Sequence, residues 1–102
     1  MDYEEERLYR SLAKTFDMPF VKLMKEVPSA EAIRIVPADI AREIGIVPLR
    51  LDEGRLILAC WCPLDFFTLE FLRYRLGVTT CECALATRRD VEAALEKFYP
   101  DA

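Results

Sequence analysis

The period of the apolar positions changes along the chain, and each change marks an element. Over residues 3–17, Leu8, Leu12, Ala13 and Phe16 recur about every four positions, behind Glu4, Glu5, Glu6 and Arg7 in the first turns. That spacing predicts an amphipathic helix, stopped by Asp17 and Pro19. The stretch "PFVKLMKEVP" reads as an extended link with one anchoring turn. Ser29 is placed to cap a short helix running through Ile33. Pro37 opens another, "PADIAREIG", with Gly45 at its C-cap. The period then shortens. "IVPLRL" and "RLILAC" read as two strands joined by a tight turn at "DEG", with Pro48 suited to an edge strand or a bulge. Residues 64–76 return to a helical pattern closed by Gly77. "VTTCECALA" is a third strand rich in β-branched residues. Thr87, with Asp90 three positions on, resembles a capping box for a last helix that places Val91, Ala94, Leu95 and Phe98 on one face.

The predicted order is α, short α, α, β, β, α, β, α. It implies the α/β (α+β) class: a small three-stranded mixed sheet covered by four or five helices, with a helical segment in front. The strand–helix–strand part should cross over right-handed. The chain reads as a single domain over residues 1–102, with a helical N-terminal segment at 1–35 and an α-β-β-α-β-α core at 36–100. Strand order stays open.

The helix at 64–76 is unusual. At about 100° per residue, Leu69, Leu72 and Leu76 share one arc, while Phe67, Phe71 and Tyr74 share another nearly opposite. One arc must pack on the sheet. The aromatic arc has three possible fates: cover by the N-terminal helices through Leu8, Leu12 and Phe16, contact with a partner or a second copy, or tolerated exposure. Burying two Phe side chains is worth roughly 1.5–3 kcal/mol each, which makes the stripe Phe67, Phe71 and Tyr74 the candidate contact surface.

Composition narrows the chemistry. The chain has 102 residues, 53% of them hydrophobic, and a net charge of −4 from 14 basic and 18 acidic side chains. A length of this order can bury a core without staples. An acidic balance argues against nucleic acid as a partner. No apolar run approaches about 18 residues, and the acidic start "MDYEEERLYR" is unlike a signal peptide, so no direct membrane insertion and a cytoplasmic location are expected. There is no histidine, and the three glycines form neither phosphate-binding loop pattern. No nucleophile has an evident base, so the chain is expected not to be an enzyme and to need no cofactor.

Two further groups carry potential chemistry. Cys60 with Cys62, and Cys81 with Cys83, each put two thiols on one strand face if both strands run through. Packed core thiols, a tetrahedral metal site and a redox pair all satisfy that pattern. Structural zinc usually takes C-x₂₋₄-C on a turn, and i, i+2 sulfurs on a flat strand lie about 6–7 Å apart, which disfavours metal. Trp61 should point away from its flanking thiols. Ten arginines leave a local anion site open, and Arg73, Arg75, Arg88 and Arg89 would cluster if the last helix began near the end of the preceding one. Asp90 and Glu92 offer ordinary ion pairs instead.

"IRIVPADIAREIGIVPLRLDEGRLILACWCPLD" and "LGVTTCECALATRRDVEAALEKFY" together resemble the N-terminal domain of type II secretion and type IV pilus assembly ATPases, the general secretory pathway protein E family. The marks fall in order on Pro37, Ala41 and Arg42, Val47 to Leu49, Gly54, Pro63 to Asp65, Ala86 and Thr87, and Tyr99. "LAKTFDMPFVKL" resembles the helix before that core. The resemblance implies a domain that sits ahead of a hexameric ATPase, in the same or another chain. It would dock that ATPase onto the cytoplasmic domain of an inner-membrane platform protein, peripheral to the membrane. Some members of the wider family bind cyclic di-GMP through tandem RLGxx(L/V)xxG motifs followed by spaced leucines and a Gln. Here "RLG" occurs once, at Arg75 to Gly77, with no glycine at the needed spacing. A dinucleotide-binding module and a metal- or redox-sensing thiol domain are the alternatives to docking.

Overall fold

The computed structural model describes residues 2–100. Five α-helices and three strands follow one another within that range: α1 (Asp2–Thr15), α2 (Ala30–Ile35), α3 (Ala38–Ile44), β1 (Ile46–Asp52), β2 (Arg55–Cys60), α4 (Phe66–Leu76), β3 (Thr80–Leu85) and α5 (Arg88–Phe98), with a 3₁₀ turn at Leu23–Lys25. The expected order and class hold, with five helices around a three-stranded mixed sheet.

The ends of these elements are set by local chemistry. Ser29, Asp65 and Thr87 each accept a hydrogen bond from the backbone N–H three residues on, fixing the starts of α2, α4 and α5. At the end of α1, Asp17 takes a left-handed φ of 55°, and Met18 N–H reaches back to the Ala13 carbonyl while Asp17 N–H reaches Lys14. That paired return is a Schellman stop, reached here without glycine. Gly45 ends α3 at φ 84°, and a Cβ there would stand 2.7 Å from Trp61 Nε1, so both backbone and packing require its bare Cα. The β1–β2 turn places Glu53 and Gly54 at φ 51° and 82°, the left-handed pair of a type I′ hairpin.

The sheet order is β1-β2-β3, with β1 antiparallel and β3 parallel to the central β2. Pro48 sits on the edge strand, where the register shifts between Pro48 and Arg50. The bulged Leu49 turns its carbonyl to the Ser29 N–H, 2.9 Å away, which ties the start of α2 to the sheet. Beyond β3, Phe20 forms a parallel bridge with Leu85. Through it and through buried Ala13 and Leu23, the N-terminal segment shares the core of the sheet.

That core is built on fully buried Ile46, Val47, Leu56, Leu58, Leu72, Leu85 and Val91. A polar clamp closes its far side. The Arg42 guanidinium donates to the carbonyls of Leu95 and Tyr99, and the Tyr99 hydroxyl lies 3.2 and 3.0 Å from the carbonyls of Ile33 and Val36. The last helix is thereby fixed to α2 and α3.

Candidate contact surface

α4 begins at the Asp65 cap, where the Thr68 N–H donates to the carboxylate at 2.7 Å and holds its pKa down. It ends at Gly77, in the left-handed conformation at φ 71°. Between these stops it packs against β3 through a face centred on Leu72, which is fully buried, with Leu69 and Leu76 half-buried beside it. The opposite face is wet. Phe67 is 80% exposed, Phe71 51% and Tyr74 88%. Phe66 is 68% exposed and meets Phe67 edge-on, ring centroids 5.6 Å apart.

The N-terminal helix does not cover this stripe. α1 packs against β3, and its Leu8, like Phe16 just past its end, remains exposed. Cover by those helices is therefore ruled out within the described residues. Phe66 lies outside the three-residue stripe that periodicity defines, and its position beside Phe67 in the first turn is the one sequence signal for it.

Charges frame the stripe. Glu70 accepts from Arg73 at 2.9 Å, an exposed pair that lowers the Glu70 pKa. Arg75 is exposed and makes no ion pair among the described residues. Arg88 pairs with Glu92 at 3.1 Å and lies over the Trp61 ring at 4.7 Å. The expected arginine cluster does not assemble. Arg73 and Arg75 precede β3 and Arg88 and Arg89 follow it, and that six-residue strand separates the pairs by about 20 Å.

The cysteines separate as well. β2 stops at Cys60, so Cys62 falls in the bend beyond it and is exposed, whereas Cys60 is buried. Cys81 and Cys83 remain on one face of β3, half-buried. The strand register puts Cys60 and Cys83 on the same sheet face, and the Cys60 thiol donates to the Ala84 carbonyl at 3.7 Å. The neighbouring Cys60 thiol and burial push the Cys83 thiol well above its ordinary value, and burial raises Cys81. Thiols shifted this way are poor nucleophiles and poor ligands. Among the described residues no group of three or more Cys, Asp or Glu could hold a metal ion, so the four-sulfur site does not form. Trp61, half-buried, packs against Gly45 and the edge of the core.

An α+β domain with this element order around a three-stranded mixed sheet is the N-terminal domain of the type II secretion and type IV pilus ATPases. The chain belongs to the MshEN domain family, whose model matches residues 16–102. It is 26% identical over 98 residues to the type IV pilus assembly ATPase PilB of Myxococcus xanthus, covering 96% of this chain and 17% of that protein. It is 29% identical over 101 residues to PilB of Thermus thermophilus, covering 95% of this chain and 11% of that protein. It thus spans under a fifth of the length of these relatives. The solved structure of MshE with cdg superposes with a TM-score of 0.80 at 22% identity, over 90% of this chain and 66% of that one. The N-terminal domain of XpsE gives 0.72 at 17% identity, over 90% and 64%. At such identities the structural likeness establishes the fold.

Proposed function

We propose that this domain is a non-catalytic docking module. It attaches a secretion or pilus assembly ATPase, carried in the same or another chain, to the cytoplasmic domain of its inner-membrane platform protein. The observation that carries the reading is the aromatic face of α4, exposed at Phe67, Phe71 and Tyr74 in a domain of that ATPase family. Covering it would stabilise a complex by roughly 1.5–3 kcal/mol for each aromatic side chain fully buried. Large exposed apolar patches on small domains are contact sites more often than accidents. No helix of the described residues is long and apolar enough to cross a membrane, which accords with attachment through a partner on the cytoplasmic side.

The test is direct binding. The purified chain is titrated against the cytoplasmic domain of the platform protein encoded with the ATPase. Binding that weakens at least about tenfold in a Phe67→Ser, Phe71→Ser double variant of unchanged melting temperature supports the reading. Equal binding by both proteins removes the stripe from it, and no binding by either removes the platform.

A second reading, a cyclic di-GMP module, draws on the fold shared with MshE, solved with cdg. The residues disfavour it. Arg75, Leu76 and Gly77 form the last turn and cap of α4, Thr80 and Cys83 stand where the binding motif has an apolar residue and a glycine, and the chain holds no glutamine. Calorimetry with cyclic di-GMP decides this: no heat is expected, and micromolar binding lost on Arg75→Ala would favour the second reading.

A further inference from the structure

The spacing of the exposed aromatics says more than that a partner exists. Phe67, Phe71 and Tyr74 are separated by four and then three residues. That is the seam of a helix that packs on another helix at a shallow crossing angle. Leu72 and its neighbours hold the opposite face against the sheet, so the seam points away from the body of the domain. Glu70 flanks the seam on one side and Arg75 on the other, five residues apart.

We infer that the aromatic face of α4 pairs with the same face of a second copy of this chain, the two helices running parallel about a two-fold axis. The charge pattern selects both occupant and direction. When two such helices run parallel, the flanking residue on one faces the residue five positions later on the other. Glu70 then meets the second copy's Arg75, and Arg75 meets the second copy's Glu70. An antiparallel pair would instead set Glu70 against Glu70 and Arg75 against Arg75. Arg75 makes no ion pair among the described residues and is available for this contact. Glu70 is 42% exposed even while paired with Arg73, so its carboxylate can accept from both.

The area suits a weak, concentration-dependent pair. At about 200 Å² per aromatic side chain, the exposed parts of the seam residues Phe67, Phe71 and Tyr74 amount to roughly 440 Å² per copy, or about 880 Å² in a pair. Interfaces a little under about 1,000 Å² belong to transient associations. The pairing rests on the docking reading only in sharing its surface: a platform domain that binds α4 would separate the copies.

Sedimentation velocity of the chain from about 1 to about 500 µM tests the pairing. A rise from the mass of one chain to that of two is expected. Phe71→Ser, exposed and hence compatible with folding, should raise the dissociation constant about tenfold or more. Glu70→Arg and Arg75→Glu should each weaken the pair, and the double exchange should restore it, with circular dichroism unchanged throughout. A single-chain mass at every concentration overturns the inference, as does a double exchange that fails to rescue. Adding the platform domain separates the two proposals. Binding to a chain that never pairs overturns only the pairing, and pairing without platform binding overturns only the docking.

Discussion

Tyr99 offers a sharp test of how the last helix is held. Its hydroxyl lies within hydrogen-bond distance of two backbone carbonyls, those of Ile33 and Val36, and the residue is 8% exposed. Tyr99→Phe keeps the ring and removes the one proton that serves them. Leaving buried acceptors without a donor costs about 1–2 kcal/mol, or roughly 5–15 °C in melting temperature for a domain of this size. The pH dependence adds a second handle. Burial pushes the Tyr99 hydroxyl up to about 12, against about 10 for an unfolded tyrosine. A folded-state value raised in this way means the stabilisation is complete below pH 10 and is lost as pH rises from 10 through 12. Two units correspond to about 2.7 kcal/mol. The phenylalanine variant lacks that loss. Urea denaturation followed by circular dichroism should therefore show the wild type more stable at pH 7, the two proteins about equal near pH 11, and the variant ahead by pH 12. A gap that stays constant from pH 7 to 12, or no gap at neutral pH, would refute the clamp.

Other outcomes follow from the same structure. Leu72→Ala empties a fully buried site beneath α4 and should cost about 2–5 kcal/mol, whereas Phe67→Ser on the other side should change stability by less than about 0.5 kcal/mol; chemical denaturation of both variants measures the contrast. Cys62 is the one exposed thiol, so Ellman's reagent should label it fastest in the native protein, half-buried Cys81 and Cys83 more slowly, and buried Cys60 only on unfolding. Cys62→Ser should abolish the fast phase, and labelling of all four thiols in the native protein would contradict the burial of Cys60.

Much of the fold was legible in the residues because its signals are local. Ser29, Asp65 and Thr87 cap helices within three residues of themselves, and Gly45, Gly54 and Gly77 each mark a left-handed turn whatever surrounds them. The two arcs of α4 could be drawn from periodicity alone. What could not be drawn was whether α1 folds back over the aromatic arc, since that depends on its docking to β3 far along the chain. The thiol and arginine clusters failed for a related reason. Pairing Cys60 with Cys62 assumed that β2 ran two residues further than it does, and joining Arg75 to Arg88 ignored the length of the strand between them. The Arg42–Tyr99 contact joins residues 57 positions apart and carries no local pattern, yet both are marks of the family resemblance, and the structure supplies their physical reason.

The central claim is that α4 presents its aromatic face to a protein partner. Backbone amide NMR of the labelled domain, titrated with the platform protein's cytoplasmic domain, tests it most directly. The account predicts shifts and broadening concentrated at Phe66, Phe67, Glu70, Phe71, Tyr74 and Arg75, with the buried strands β1 and β2 unmoved. Perturbations confined to another surface, with α4 silent at saturation, would contradict it.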